Sequence, residues 1–376
     1  MLRKLVPALG VLTLCAAAPA QEIAKGLFMD GWVDTLFTVV DTPYPVPANN
    51  PEYSQRDAST DFLAKASLKV GYKVADRVSA KINMWYNTNG ADETPFTVRE
   101  MFINVDLGNH VTWTTGKFIN HLGWISAEPT GLFRVNASTI GYNGTFYGAN
   151  DPIGTGLGWM NSQANYDLGA TVYVTNGYFN EKDGSNADSV DNGTQKKNAV
   201  GLGLDLVANV GPDKETNLNL DFAIDPNLNP AYTYVLGLNA TTKLRGKDDP
   251  IKLGAEVIAK VTQNGGGSAS GDSVNTLGML GMVNYQLPEN SKQIPMSVTA
   301  MYQRIDNDFD GSNGGPAARE NRDNINEISL ALLTNPFRVS NFGLNAEVAY
   351  AFVDGNPNSA NDNVTTVALE AIAVIP

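Results

Sequence analysis

The sequence predicts an all-β chain closed into one transmembrane antiparallel barrel, and three observations carry that prediction. Apolar and polar residues alternate along its hydrophobic segments. The connections between those segments alternate between short and long, and a short apolar leader comes first.

The leader fixes the compartment. Arg3 and Lys4 form a basic start, "LVPALGVLTLCAAA" is a short apolar run, and Ala18 and Ala20 stand at the small positions before a cut. Residues 1–20 read as a signal peptide and 21–376 as the barrel domain. Cys15 would suit a lipoprotein signal, but Leu14 stands where that cleavage site wants a small residue. Cys15 is also the only cysteine, so disulfides and thiolate metal sites are excluded after cleavage. Losing Arg3 and Lys4 takes the net charge from −13 to −15, which argues against a nucleic-acid partner. With no second long apolar run, a helical membrane protein is excluded, whereas a β-barrel is not.

The segment "FLAKASLKVGYKV", residues 62–74, sets Phe62, Ala64, Ala66, Leu68, Val70, Tyr72 and Val74 on one face and Lys65, Lys69 and Lys73 on the other. Residues 78–87, 217–224, 251–261 and 342–352 repeat the pattern. Short connections fall at 75–77, 108–110, 161–165, 211–215, 245–250, 288–293 and 335–341. Long ones begin near Asp41, Thr88, Ile119, Asn176, Asp225, Gln263, Asp306 and Asp354. Hairpins sorted in this way have short periplasmic turns and long extracellular loops, and they imply about 16 strands. Phe62 and Tyr72 stand ten residues apart, roughly 25 Å along a tilted barrel wall, the height of a lipid-facing band between aromatic girdles. The apolar face therefore meets lipid, because lysines turned outward would cost up to ~2–4 kcal/mol each near the midplane. A soluble β-sandwich or solenoid is the competing architecture.

A barrel of this size leaves an aqueous channel. The longest connection, 119–152, is a candidate pore-constricting loop because Trp124, Ile125, Leu132 and Phe133 favour packing on a wall. The alternative makes "LFRVNASTIGYNG" an extra hairpin and the barrel 18-stranded. In place and length this connection is similar to the third outer loop of general porins, which folds into the lumen. "GKFINHLGW", Gly116–Trp124, and "TNGYFN", Thr175–Asn180, resemble stretches of the OmpL-like β-barrel porin family. Asn120, His121 and Trp124 replace the Thr-Pro and Glu that family often carries there. The resemblance implies a Gram-negative outer-membrane pore.

The expected function is passive diffusion of small hydrophilic solutes or ions through a water-filled channel. The competing reading is a non-conducting barrel that serves as a surface adhesin or envelope anchor. Expected partners are outer-membrane lipid, lipopolysaccharide and small hydrophilic solutes, with a homotrimer as the assembly. Candidate pore-lining or constriction residues are Lys65, Lys69, Lys73, Lys81, Glu100, Glu128, Arg134 and Asp151, arranged as a basic wall facing a partly acidic loop. No cofactor and no enzyme activity are expected. A hydrolase would need His121 beside a serine such as Ser126 on the wall; both His121 and His110 read instead as solvated or packing residues. "DNDFDG" sets Asp306, Asp308 and Asp310 at calcium-loop spacing, but Ala317 stands where the bidentate glutamate belongs. That leaves an acidic outer loop with, at most, loosely bound divalent cations.

Overall fold

The computed structural model describes residues 21–43, 56–87, 96–124, 134–135, 146, 151–178, 200–228, 231–246, 248–263, 273–288, 294–306, 324–335, 342–354 and 363–375. The leader lies outside them. The alternating segments form β1 (Gln21–Ala24), β2 (Leu27–Pro43), β3 (Arg56–Ala75), β4 (Val78–Asn87), β5 (Phe96–Gly108) and β6 (Val111–Lys117). After the third long connection come β7 (Ile153–Ser162), β8 (Tyr166–Thr175), β9 (Gly201–Val210), β10 (Thr216–Leu228), β11 (Ala231–Lys243) and β12 (Ile251–Gln263). The chain ends with β13 (Ser273–Gln286), β14 (Met296–Asp306), β15 (Asn324–Thr334), β16 (Phe342–Asp354) and β17 (Val364–Ile375).

Each strand from β2 onward pairs antiparallel with the next, and β17 returns to β2 from Thr365↔Asp41 to Ile375↔Gly31. Sixteen strands close the ring and β1 is an extra one. β1 turns back through Gly26 (φ 76°) and pairs with β2 from Gln21↔Met29 to Ala24↔Leu27, beyond the point where β17 stops. It thereby covers an edge of backbone N–H and C=O groups that the seam would leave open. β6 pairs directly with β7, from Val111↔Trp159 to Lys117↔Ile153. That pairing leaves no place for an extra hairpin between them, so the 18-strand alternative is corrected to 16.

The period of two sorts the faces as the sequence predicts. On β3, Phe62 is 77% and Tyr72 49% exposed, while Ser67 on the lysine face is 4% exposed. Exposed Phe62, Phe96 and Tyr350 lie toward the long connections, and Tyr72, Trp113, Trp159 and Tyr285 toward the short turns. Leu218, Leu238, Val257 and Val348 fill the outward band between these two aromatic girdles.

Two details depart from the sequence reading. No long connection opens at Asp225: β10 runs to Leu228 and β11 starts at Ala231. Pro226 has no N–H for the ladder, so the register slips between Asp225 and Leu228 instead of ending there. The second departure is a register shift between β4 and β5, where Asn83 faces Glu100 and Met84 faces Val98. The extra residue is Arg99, and the bulge turns Arg99 and Glu100 to the same, inner side.

A closed ring has no free edge from which to fray in detergent. Unboiled protein is expected to migrate faster than boiled protein on a detergent gel. Identical mobility, with the protein recovered in the periplasmic fraction, would count against the barrel.

Candidate functional site in the lumen

The third connection leaves the wall after β6, and its described residues lie inside the ring. His121 and Leu122 are buried, as are Arg134, Val135 and Phe146. Its aromatic residues seat where inward positions of the strands carry glycine. The His121 ring stacks on Tyr173 at 4.5 Å and meets Tyr178 edge-on at 5.4 Å, against Gly203. A Cβ at Gly254 would stand 2.7 Å from Cζ2 of Trp124, and one at Gly278 would stand 2.6 Å from Cε2 of Phe146. Only glycine leaves these sockets open. Around them Leu122, Phe146, Tyr178, Val235, Ile258 and Leu280 form an apolar core inside the barrel. Burial lowers the His121 pKa to about 4, so the ring is neutral at neutral pH and packs as an aromatic. His110, by contrast, is exposed at the β5–β6 turn with φ 66°. Ser126 lies outside the described residues.

Polar contacts complete the docking, and they follow one pattern: loop donors meet acids of the inner wall. The Gly123 N–H donates to Asp221 of β10 at 3.2 Å and the Trp124 N–H to Glu256 of β12 at 3.3 Å. The Tyr178 N–H, at the start of the fourth connection, donates to both oxygens of Asp225 at 3.0 and 2.9 Å. Across the lumen, Val135 N–H donates to Glu347 of β16 at 2.6 Å. The Arg134 guanidinium, 2% exposed, pairs with Glu347, with Glu327 of β15 at 2.5 Å and with Gln303 of β14 at 3.3 Å. An acid buried without such donors would cost several kcal/mol; here Gly123, Trp124, Arg134 and Val135 of the loop supply donors to Asp221, Glu256, Glu327 and Glu347.

The candidate pore-lining residues fall on two sides of that loop. Lys65 stands opposite Asp34 across the β2–β3 ladder. Lys69 lies 3.9 Å from Asp30, Lys73 lies 3.3 Å from Asp76, and Lys81 lies 2.7 Å from Glu100. Asp151, at the end of the third connection, accepts from Arg99 at 2.9 Å, and the Arg99 guanidinium stacks 4.4 Å over Trp85. Arg134 departs from the expected arrangement. It carries positive charge to an acidic wall, and Asp151 is held by Arg99 rather than facing the lysines. A guanidinium fork can satisfy two carboxylates at once, which a lysine wall could not offer it. Glu128 lies outside the described residues, as do Asp308 and Asp310. Asp306 pairs with Arg304 at 3.2 Å.

Sequence reasoning missed the docking acids and the glycine sockets. Their signal was present: Gly203, Gly254 and Gly278, and Asp221, Glu256 and Glu347, all fall on inward positions.

No family matches the sequence, and no curated protein matches it. Solved structures do. The outer membrane channel DcaP of Acinetobacter baumannii is 11% identical at a TM-score of 0.59, covering 95% of this chain and 99% of that one. An anion-selective porin from Comamonas acidovorans is 11% identical at 0.58, covering 93% and 99%. The in-vitro folded, trimer form of OmpT, an outer membrane protein of Vibrio cholerae, is 8% identical at 0.53, covering 93% and 99%. At such identities the likeness lies in the backbone, and the OmpL-like resemblance remains one of short motifs. The fold of this chain is that of the outer-membrane porin barrels.

Proposed function

We propose that the chain is an outer-membrane porin through which small hydrophilic solutes or ions diffuse passively. The observation that carries this reading is a closed 16-strand ring whose third connection is docked inside it by buried contacts. A barrel acting as an anchor or adhesin has no use for a loop sewn across its lumen. A diffusion pore needs one, because an unobstructed ring of this size would admit solutes indiscriminately. The third connection is then the constriction. Two structural neighbours are named as a channel and a porin, which supports the same reading. By analogy with the trimer form of OmpT, the assembly is a homotrimer. No enzyme chemistry enters the proposal, and the acidic outer connections carry at most loosely held divalent cations.

Purified protein added to a planar lipid bilayer is expected to give stepwise, ohmic openings. Silence across independent preparations of correctly folded protein would overturn the pore and favour the anchor or adhesin.

A further inference from the structure

The buried acids of the inner wall are not all satisfied in the same way. Glu327 and Glu347 have the Arg134 guanidinium. Asp205 of β9 and Asp221 of β10 have no such partner. They stand opposite each other across the β9–β10 ladder, both are buried, and their carboxyl groups meet one another. Glu256 of β12 adds a third negative charge near Asp221. Against these charges Asp221 receives two neutral donors, the Gly123 N–H and Asn239 Nδ2, each at 3.2 Å. Among the described residues no lysine or arginine pairs with Asp205 or Asp221. Arg134, the only lysine or arginine between residues 119 and 152, is committed on the far wall.

Amide oxygens that lack donors lie beside this pair. Asn219 is two residues from Asp221 on the same inward face of β10 and stands opposite Asn239 of β11. Asn219 is 4% exposed and Asn239 1%. Oδ1 of each meets no donor among the described residues, and neither does Oδ1 of Asp205. Buried oxygens of this kind are normally hydrogen-bonded. A proton shared by the two carboxyl groups would lower their charge but bring nothing to Asn219 and Asn239. A cation seated over β9, β10 and β11 would meet all four side chains. Cross-strand neighbours have Cβ atoms about 4.5–5.5 Å apart, so their oxygens can converge on one ion. No three His, Asp or Glu side chains among the described residues form a metal cage. The set here is two carboxylates and two amide oxygens, which suits a hard cation rather than zinc. Calcium takes roughly six to eight oxygens in irregular geometry and completes its shell with water, whereas magnesium demands a near-octahedral one.

We propose that Asp205, Asn219, Asp221 and Asn239 form a calcium site on the inner wall, at the acid to which the Gly123 N–H docks. The site does not depend on whether the barrel conducts. Its test is calorimetric titration with calcium chloride of the folded, detergent-purified protein after treatment with EGTA. The expected result is saturable binding of one ion per chain. Asp205→Asn should weaken that binding about tenfold or more, because affinity follows the charge of the ligands. Asn219→Ala removes an oxygen without altering charge and should weaken it as well. Asp306→Asn, at the start of an acidic outer connection, should leave it unchanged. Each variant is compared at retained heat-shifted mobility, and if Asp205→Asn fails to fold, Asn219→Ala carries the test. A folded natural protein that binds no calcium would overturn the site and leave the carboxyl pair to a shared proton. Equal affinity in the natural protein, Asp205→Asn and Asn219→Ala would show an adventitious ion only, and would overturn it too.

Discussion

Arg134→Ala is expected to release the third connection from the far wall while the barrel stays closed. The guanidinium is the shared partner of Glu327 and Glu347, all three are buried, and Gln303 adds a further acceptor. Without it two carboxylates remain side by side in a water-poor site. Breaking such a buried set from one side costs about 3–5 kcal/mol. The cost falls on the docked loop, because the ring is held by its own ladders. Residues 125–150 should then be cut faster by proteinase K than in the natural protein, and single-channel conductance should rise and become noisier. Arg134→Lys should recover only part of the effect, since an ammonium cannot present the planar fork that reaches both glutamates. Unchanged cleavage and conductance in a folded Arg134→Ala barrel would show that the clasp does not hold the loop.

Valine at Gly254 or Gly278 is expected to evict the loop from its apolar seat. At Gly254 the new Cβ would overlap the Trp124 ring; at Gly278 it would meet Phe146 at 2.6 Å and Cγ2 of Ile258 at 2.7 Å. Forced overpacking of this kind costs about 1–3 kcal/mol. Valine suits a strand, and at Gly254 the nearest atoms all belong to Trp124, so the wall itself should not suffer there. Gly254→Val should therefore shift tryptophan emission to the red as Trp124 enters water, with heat-shifted mobility retained. The double change Gly254→Val, Trp124→Ala removes the clash and should restore the natural resistance of the loop to proteinase K. If Gly254→Val leaves emission and proteolysis as they were, Trp124 does not occupy that socket.

The sequence by itself determined the wall. A side-chain period of two admits one register per strand, and turning Lys65, Lys69 and Lys73 outward is too costly in lipid, so the faces could be assigned without coordinates. The order of short and long connections set the strand count, because a hairpin's two ends face different compartments. Neighbours in the ring are neighbours in sequence, which is why local pattern was enough.

Only the tertiary structure decided what fills the ring. Gly123 meets Asp221 across 98 positions of sequence, and Arg134 meets Glu347 across 213. Along a strand, Asp221 and Glu347 look the same as acids that line water, since alternation reports the side a residue faces and not what it touches there. The inward glycines are equally silent, because an empty position becomes a socket only when an aromatic ring from a distant connection enters it. The β4–β5 bulge was hidden for a related reason. The extra residue adds nothing to the hydrophobic pattern of β5, yet it brings Arg99 and Glu100 to one side, where Arg99 meets Asp151 of the third connection and Glu100 meets Lys81. Which wall acids the loop meets is thus a property of packing, and no count of lysines and acids along the chain contains it.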